Sequence, residues 1–173
     1  MELDPGNYVL RSCAFAFAEQ GDADRAMDYL MTDAGSEWAA NILPGILLRQ
    51  GKIDEAREAA AKVTRNTTWF GDLVHACLDA NRQGETQALA QAAAPLLLGL
   101  RDPELKYQHA TILSYCGQRE LAVQLLRSSI AQNYCATDAL DKDPLLKNVR
   151  SDPDFGVLRD AAKACSAAIP SGE

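Results

Sequence analysis

Aromatic residues make up only 6% of this 173-residue chain, and basic residues are outnumbered, 17 Lys and Arg against 24 Asp and Glu. Few aromatics beside abundant alanine disfavour a sandwich of bulky β-branched strands and favour closely packed helices. A net charge of -7 with no cluster of Lys and Arg excludes a nucleic-acid backbone as the main partner. The longest apolar runs, ILPGILL from Ile42 and APLLLGL from Ala94, fall short of the roughly 20 residues that span a bilayer, so no membrane insertion is expected. The opening MELDPGNYV has neither a basic nor an apolar region, so no signal peptide is expected and a soluble chain is.

Chemical motifs are scarce as well. No GxxxxGK[ST] and no GxGxxG occurs, which leaves nothing to cradle a nucleotide. The five cysteines, Cys13, Cys77, Cys116, Cys135 and Cys165, are widely spaced without a CxxC and read as reduced, cytoplasmic thiols; in an exported context Cys135 and Cys165 are the bridge candidates. Of the two histidines, His75 stands two residues from Cys77 and faces another way on a helix, and His109 falls on an apolar stripe that suits a core histidine. The carboxylates of DADRAMD and KIDEARE sit in expected first helical turns, where they complement the helix dipole. The NTT triplet at 66–68 matches a glycosylation acceptor without a secretory context and is set aside. No catalytic residue, metal ligand or cofactor is expected, and the chain reads as no enzyme.

What the chain does contain is a repeat. QGDADRA from Gln20, QGKIDEA from Gln50, QGETQA from Gln83 and CGQRELA from Cys116 share a glycine, polar residues and then an alanine or its neighbour. Gly21, Gly51, Gly84 and Gly117 are separated by 30, 33 and 33 residues, the period of a helical array. A glycine that takes the left-handed conformation cheaply suits a tight turn between two helices. Apolar residues at helical spacing flank it: Leu10, Cys13, Ala14 and Phe17, then Ala23, Ala26 and Leu30, in the first unit; Ala40, Leu43 and Leu47, then Ile53, Ala56, Ala60 and Val63, in the second. Small residues seven before the glycine (Ala14, Cys77, Ala110) and five after it (Ala26, Ala56, Ala122) mark the expected closest approach of paired helices.

This pattern resembles the tetratricopeptide repeat over roughly residues 7–134, which implies an all-α, right-handed superhelix of about four hairpins in one domain spanning 1–173. The expected repeats are 7–35, 36–66, 68–101 and 102–134, with capping helices over about 138–168. Departures are Pro44 at the small position of the second unit, Leu89 where an alanine is expected in the third, and Pro95 within that unit's second helix; local bends are expected at both prolines. Asp-Pro pairs at Asp4, Asp102, Asp143 and Asp152 read as helix entries. Leu145, Leu146 and Val149, then Phe155, Leu158, Ala162 and Cys165, give the cap its apolar faces.

In the family the first helix of each pair lines a concave groove. Carried over by helical position, that implies partner-binding residues Tyr8, Arg11, Phe15, Trp38, Asn41, Leu48, Val74, His75, Leu78, Asn81, Tyr107, Thr111 and Ser114. Exposed aromatics with a few polar groups suit a peptide. A clamp for acidic peptides is disfavoured, because Phe15, Ile42 and Gly71 stand where basic or polar groups are wanted. The expectation is a non-catalytic module binding a protein or peptide, part of a larger bacterial signalling protein such as a winged-helix regulator, a kinase or an adenylate cyclase. Attachment to a membrane-spanning kinase would export it. The alternative is self-association into a homo-oligomeric scaffold, and a remote third is a small-molecule or catalytic groove.

Overall fold

The computed structural model describes residues 8–63 and 69–168, with side chains described over 12–63 and 71–168. Among the described residues every regular element is helical. In chain order these are α1 (Tyr8–Glu19), α2 (Ala23–Met31), α3 (Glu37–Arg49), α4 (Ile53–Lys62), α5 (Trp69–Leu78), α6 (Thr86–Leu98), α7 (Pro103–Tyr115), α8 (Arg119–Ala131), α9 (Thr137–Lys142), α10 (Lys147–Arg150) and α11 (Phe155–Ala168), with short 3-10 turns at Gln83–Glu85 and Pro144–Leu146. They fall into two compact units. The first holds the described residues up to Glu85 together with Lys142–Pro144, the second Thr86–Asp141 and the described residues from Leu145 onward.

Three hairpins, α1–α2, α3–α4 and α7–α8, are closed by one repeated turn. The amides of Asp22, Lys52 and Gln118 reach back five residues to the carbonyls of Phe17, Leu47 and Leu113 at 2.9, 2.9 and 2.8 Å. Those of Gly21, Gly51 and Gly117 reach back three, to Ala18, Leu48 and Ser114, at 3.1, 3.0 and 3.1 Å. This pair of bonds is a Schellman motif, which requires a left-handed residue at its centre. The three glycines supply it with φ of +83°, +74° and +75°. In the first hairpin the next residue also caps the second helix with its side chain, Asp22 accepting from the Arg25 amide at 3.1 Å, whereas Lys52 and Gln118 make no such bond. A three-residue link therefore ends one helix and starts its partner. The turn also appears at the end of α8, where Asn133 (φ +67°) takes the glycine's place and the Tyr134 amide donates to the Ser129 carbonyl at 3.1 Å. Asn tolerates this conformation better than other side chains do.

The expected third hairpin departs from this plan. α5 ends at Leu78, six residues before Gly84, whereas α1, α3 and α7 end two residues before their glycines. The cause is local: the Asp79 carboxylate accepts from the Asn81 amide at 2.9 Å and the Asp79 carbonyl from the Arg82 amide at 2.9 Å, a turn that competes with the helix. Gly84 then sits in a 3-10 turn without positive φ. α5 belongs to the first unit and α6 to the second.

The small residues are where the paired helices meet. Ala14, Ala26, Ala56, Ala110 and Ala122 are all fully buried, and a longer side chain at any of them would force its hairpin apart. In the first unit Ala18, Ala26, Leu30, Ala39 and Ile46 form a core, against which Phe17, Trp38 and Leu43 pack. Pro44 and Pro95 lie inside α3 and α6, and neither proline ends its helix. The first unit also buries an ion pair: the Arg49 guanidinium meets Asp143 at 2.7 Å from Nη2 and 3.2 Å from Nε, with side chains 3% and 0% exposed. Removing either partner would strand a buried charge, the costly half of such a pairing.

In the second unit α10 packs on α7 and α8, and α11 packs on α8. Leu145, Leu146, Val149, Phe155, Leu158 and Ala162 are buried there, so the apolar faces expected of the closing segment are the ones used. Asp102 caps α7, accepting from the Glu104 and Leu105 amides at 2.9 and 3.2 Å. The Asp152 carboxylate, by contrast, accepts from the Asp154 amide in a turn that precedes α11, and Asp143 serves the ion pair; Asp4 lies outside the described residues. Cys135 and Cys165 form a disulfide, with their Cα atoms 5.4 Å apart. This corrects the expectation of reduced thiols at these positions: the turn after α8 brings Cys135 beside the α11 stripe on which Cys165 lies. Cys13 is a free thiol.

Candidate functional site

The expected groove-lining residues are placed as follows. Val74 and Thr111 are fully buried, Tyr107 is 2% exposed, Phe15 5% and Leu78 9%. Phe15 meets Trp38 edge to face, with ring centroids 5.6 Å apart; Trp38 and Asn41 are half-buried. Tyr107 packs near Tyr134 at 5.5 Å, and the Thr111 hydroxyl donates to the Gln108 carbonyl at 2.7 Å. Leu48 and Ser114 are buried too, while Asn81 is exposed beside Asp79. His75, half-buried, has its Nδ1 2.7 Å from the Arg82 guanidinium. A guanidinium only donates, so the ring nitrogen of His75 is the acceptor in this contact. Arg82 in turn pairs with Glu85 at 2.7 Å, which holds that carboxyl below its usual range through the hydrogen bond. The side chains of Tyr8 and Arg11 lie outside the described residues. Of the described apolar members of the expected lining, Phe15, Leu48, Val74, Leu78 and Tyr107 are thus buried.

An open groove of about 770 Å³ lies elsewhere, wholly within the second unit. One wall is α6, whose residues Gln87, Ala90, Gln91 and Ala94 fall three, one and three apart and so share a helical face. The other wall is the turn into α8 and that helix's first two turns, Gly117 to Leu121 and Gln124; Asn148 of α10 and Ser151 just after it complete it.

Several of these side chains are held in place. The Asn148 amide donates to the Ser114 and Tyr115 carbonyls at 2.9 and 3.4 Å, closing the end of α7. The Ser151 hydroxyl donates to the Asn148 carbonyl at 2.8 Å, and Arg119 pairs with Asp152 at 3.1 Å. The amide of Gln118 sits 3.5 Å from the Cys116 carbonyl. Gln118 also stands at the start of α8, where no side chain caps the backbone. Gln87, Gln91 and Gln124 are exposed, and their amides are engaged by nothing among the described residues.

Chemically the lining is neutral and amide-rich. Arg119 and Glu120 offset each other, and Arg119 is already paired, so no anion is specifically invited. The apolar members are Ala90, Ala94 and Leu121, which provide no deep socket for a large anchor. A primary amide both donates and accepts, the complement of another amide. Sequence reasoning looked to the first helices and did not single out this face. The available signal was TQALAQAAA, a run in which two glutamines four apart break an alanine-rich helix on one side only.

Set against protein-family models, curated proteins and solved structures, the chain gives no match to any of them.

Proposed function

We propose that the chain is a tetratricopeptide-like interaction module that binds a peptide segment of a partner protein, and that the segment lies in the groove between α6 and α8. The observation that carries this reading is the amide-lined groove itself: three exposed glutamines without partners line an open cleft whose walls are otherwise tied down. The repeated Schellman hairpins and the buried alanines support the family resemblance. The binding face is carried by second helices, in place of the concave first-helix face that the resemblance implied.

A role within a larger bacterial signalling protein stays with this proposal. The Cys135–Cys165 bridge favours an oxidising compartment, and so the exported form of that role over the cytoplasmic one. The test is affinity capture from the native host with the wild-type chain and with a Gln91→Arg/Gln124→Arg variant, whose like charges would face any ligand in the groove. Loss of specific captured proteins from the variant is expected. An unchanged set would move binding off this face.

A further inference from the structure

We infer that the groove recognises an extended peptide through its main chain, with the ligand running alongside α6. This rests on the peptide-binding reading above and names what that reading leaves open.

Spacing is the first ground. Gln87 and Gln91 are separated by four residues of helix, an axial rise of about 6 Å. An extended strand repeats every two residues, about 6.6 Å, so successive glutamines meet alternate residues of such a chain in near register. The 13 residues of α6 extend about 20 Å, room for about six residues of strand.

Complementarity is the second. Each peptide unit offers one N–H and one C=O, and each glutamine amide can pair with both. Gln124 provides a further amide from the opposite wall.

Exclusion of the alternatives is the third. An amphipathic helix needs a hydrophobic trough for anchors at helical spacing, and this lining has two alanines and one half-buried leucine. A phosphorylated or acidic segment needs free cationic groups, and the one arginine here is paired with Asp152. Selectivity among side chains is accordingly weak, and length and extension decide binding.

The experiment uses the full chain and follows the glutamine side-chain amide signals by NMR during titration with an alternating Ser-Ala octapeptide. A parallel titration uses the depsipeptide of the same side chains, whose main-chain amides are replaced by esters. The peptide is expected to shift the signals of Gln87, Gln91 and Gln124 in the millimolar range. The depsipeptide, without N–H donors, should bind at least about tenfold more weakly, and a Gln87→Met/Gln91→Met variant with unchanged circular dichroism should lose about the same factor. Equal binding of peptide and ester at these amides would overturn main-chain recognition while leaving a peptide groove. Absence of any shift at millimolar peptide would overturn both.

Discussion

Replacing each of the four repeat glycines by alanine gives a set of results whose signs differ. At Gly21, Gly51 and Gly117 the backbone holds φ between +74° and +83°, a conformation that costs an L-residue roughly 1–2 kcal/mol. Space is not the issue. A Cβ at Gly51 or Gly117 meets nothing within 4 Å, and at Gly21 it meets only the Lys142 carbonyl at 3.8 Å, an ordinary contact. The penalty is therefore conformational alone, and about the same for all three. Gly84 lies in a 3-10 turn without positive φ and likewise has open space around a new Cβ. Alanine there narrows the unfolded ensemble and should stabilise by about 0.4–1 kcal/mol. Urea unfolding followed by circular dichroism separates the outcomes: lower midpoints for Gly21→Ala, Gly51→Ala and Gly117→Ala, and an equal or higher one for Gly84→Ala. A loss at Gly84 matching the other three would mean that the third turn is built like the rest, and would refute the division of the chain at that point.

Two further outcomes are expected. The Cys135–Cys165 disulfide closes a sequence separation of 30 residues, so the Cys135→Ser/Cys165→Ser variant should lose about 3.6 kcal/mol on the loop-closure estimate; superimposable non-reducing urea curves would show that the bridge does not form. Burial pushes the His109 imidazole down to about 4, so the folded chain resists a proton that the unfolded chain accepts below about 6.5. Its contribution is full above pH 6.5 and is lost as pH falls towards 4, amounting to about 1 kcal/mol between pH 8 and pH 5.5 for a ring not wholly shielded. His109→Leu should remove that part of the acid sensitivity, and parallel losses in variant and wild type would refute the assignment.

The hairpins were legible because their determinants are short in range. A glycine, the two residues after it and an apolar stripe on either side specify the turn, and three times out of four the backbone uses them as read. The fourth failed through Asp79 and Asn81, whose side-chain turn ends α5 early; nothing in the glycine spacing reports that competition. The Asp-Pro pairs teach the same lesson. Asp102 has no stronger option and caps α7, whereas Asp143 meets Arg49, 94 residues away in sequence, and becomes half of a buried ion pair. Exposure along the first helices was the least legible part. Val74, Tyr107 and Thr111 were assigned by position in a pattern, but whether a position on the first helix is free depends on what packs against it.

The departure from the repeat and the candidate groove occur at the same helix, and one physical cause connects them. In the three regular hairpins the residue five after the glycine is a buried alanine, which lets the second helix press closely on the first. α6 carries Leu89 there, half-buried, and its near partners within its own unit are α7 and α8. Of its side chains Thr86, Ala90, Ala93 and Leu97 are buried, which leaves Gln87 and Gln91 uncovered at a wall of the groove. With Leu89 in place of the small residue, α6 turns Gln87 and Gln91 to the groove, opposite the exposed Gln124 of α8. Local rules are commonly broken where a site has been built, and Leu89 puts one such break on the helix that carries Gln87 and Gln91.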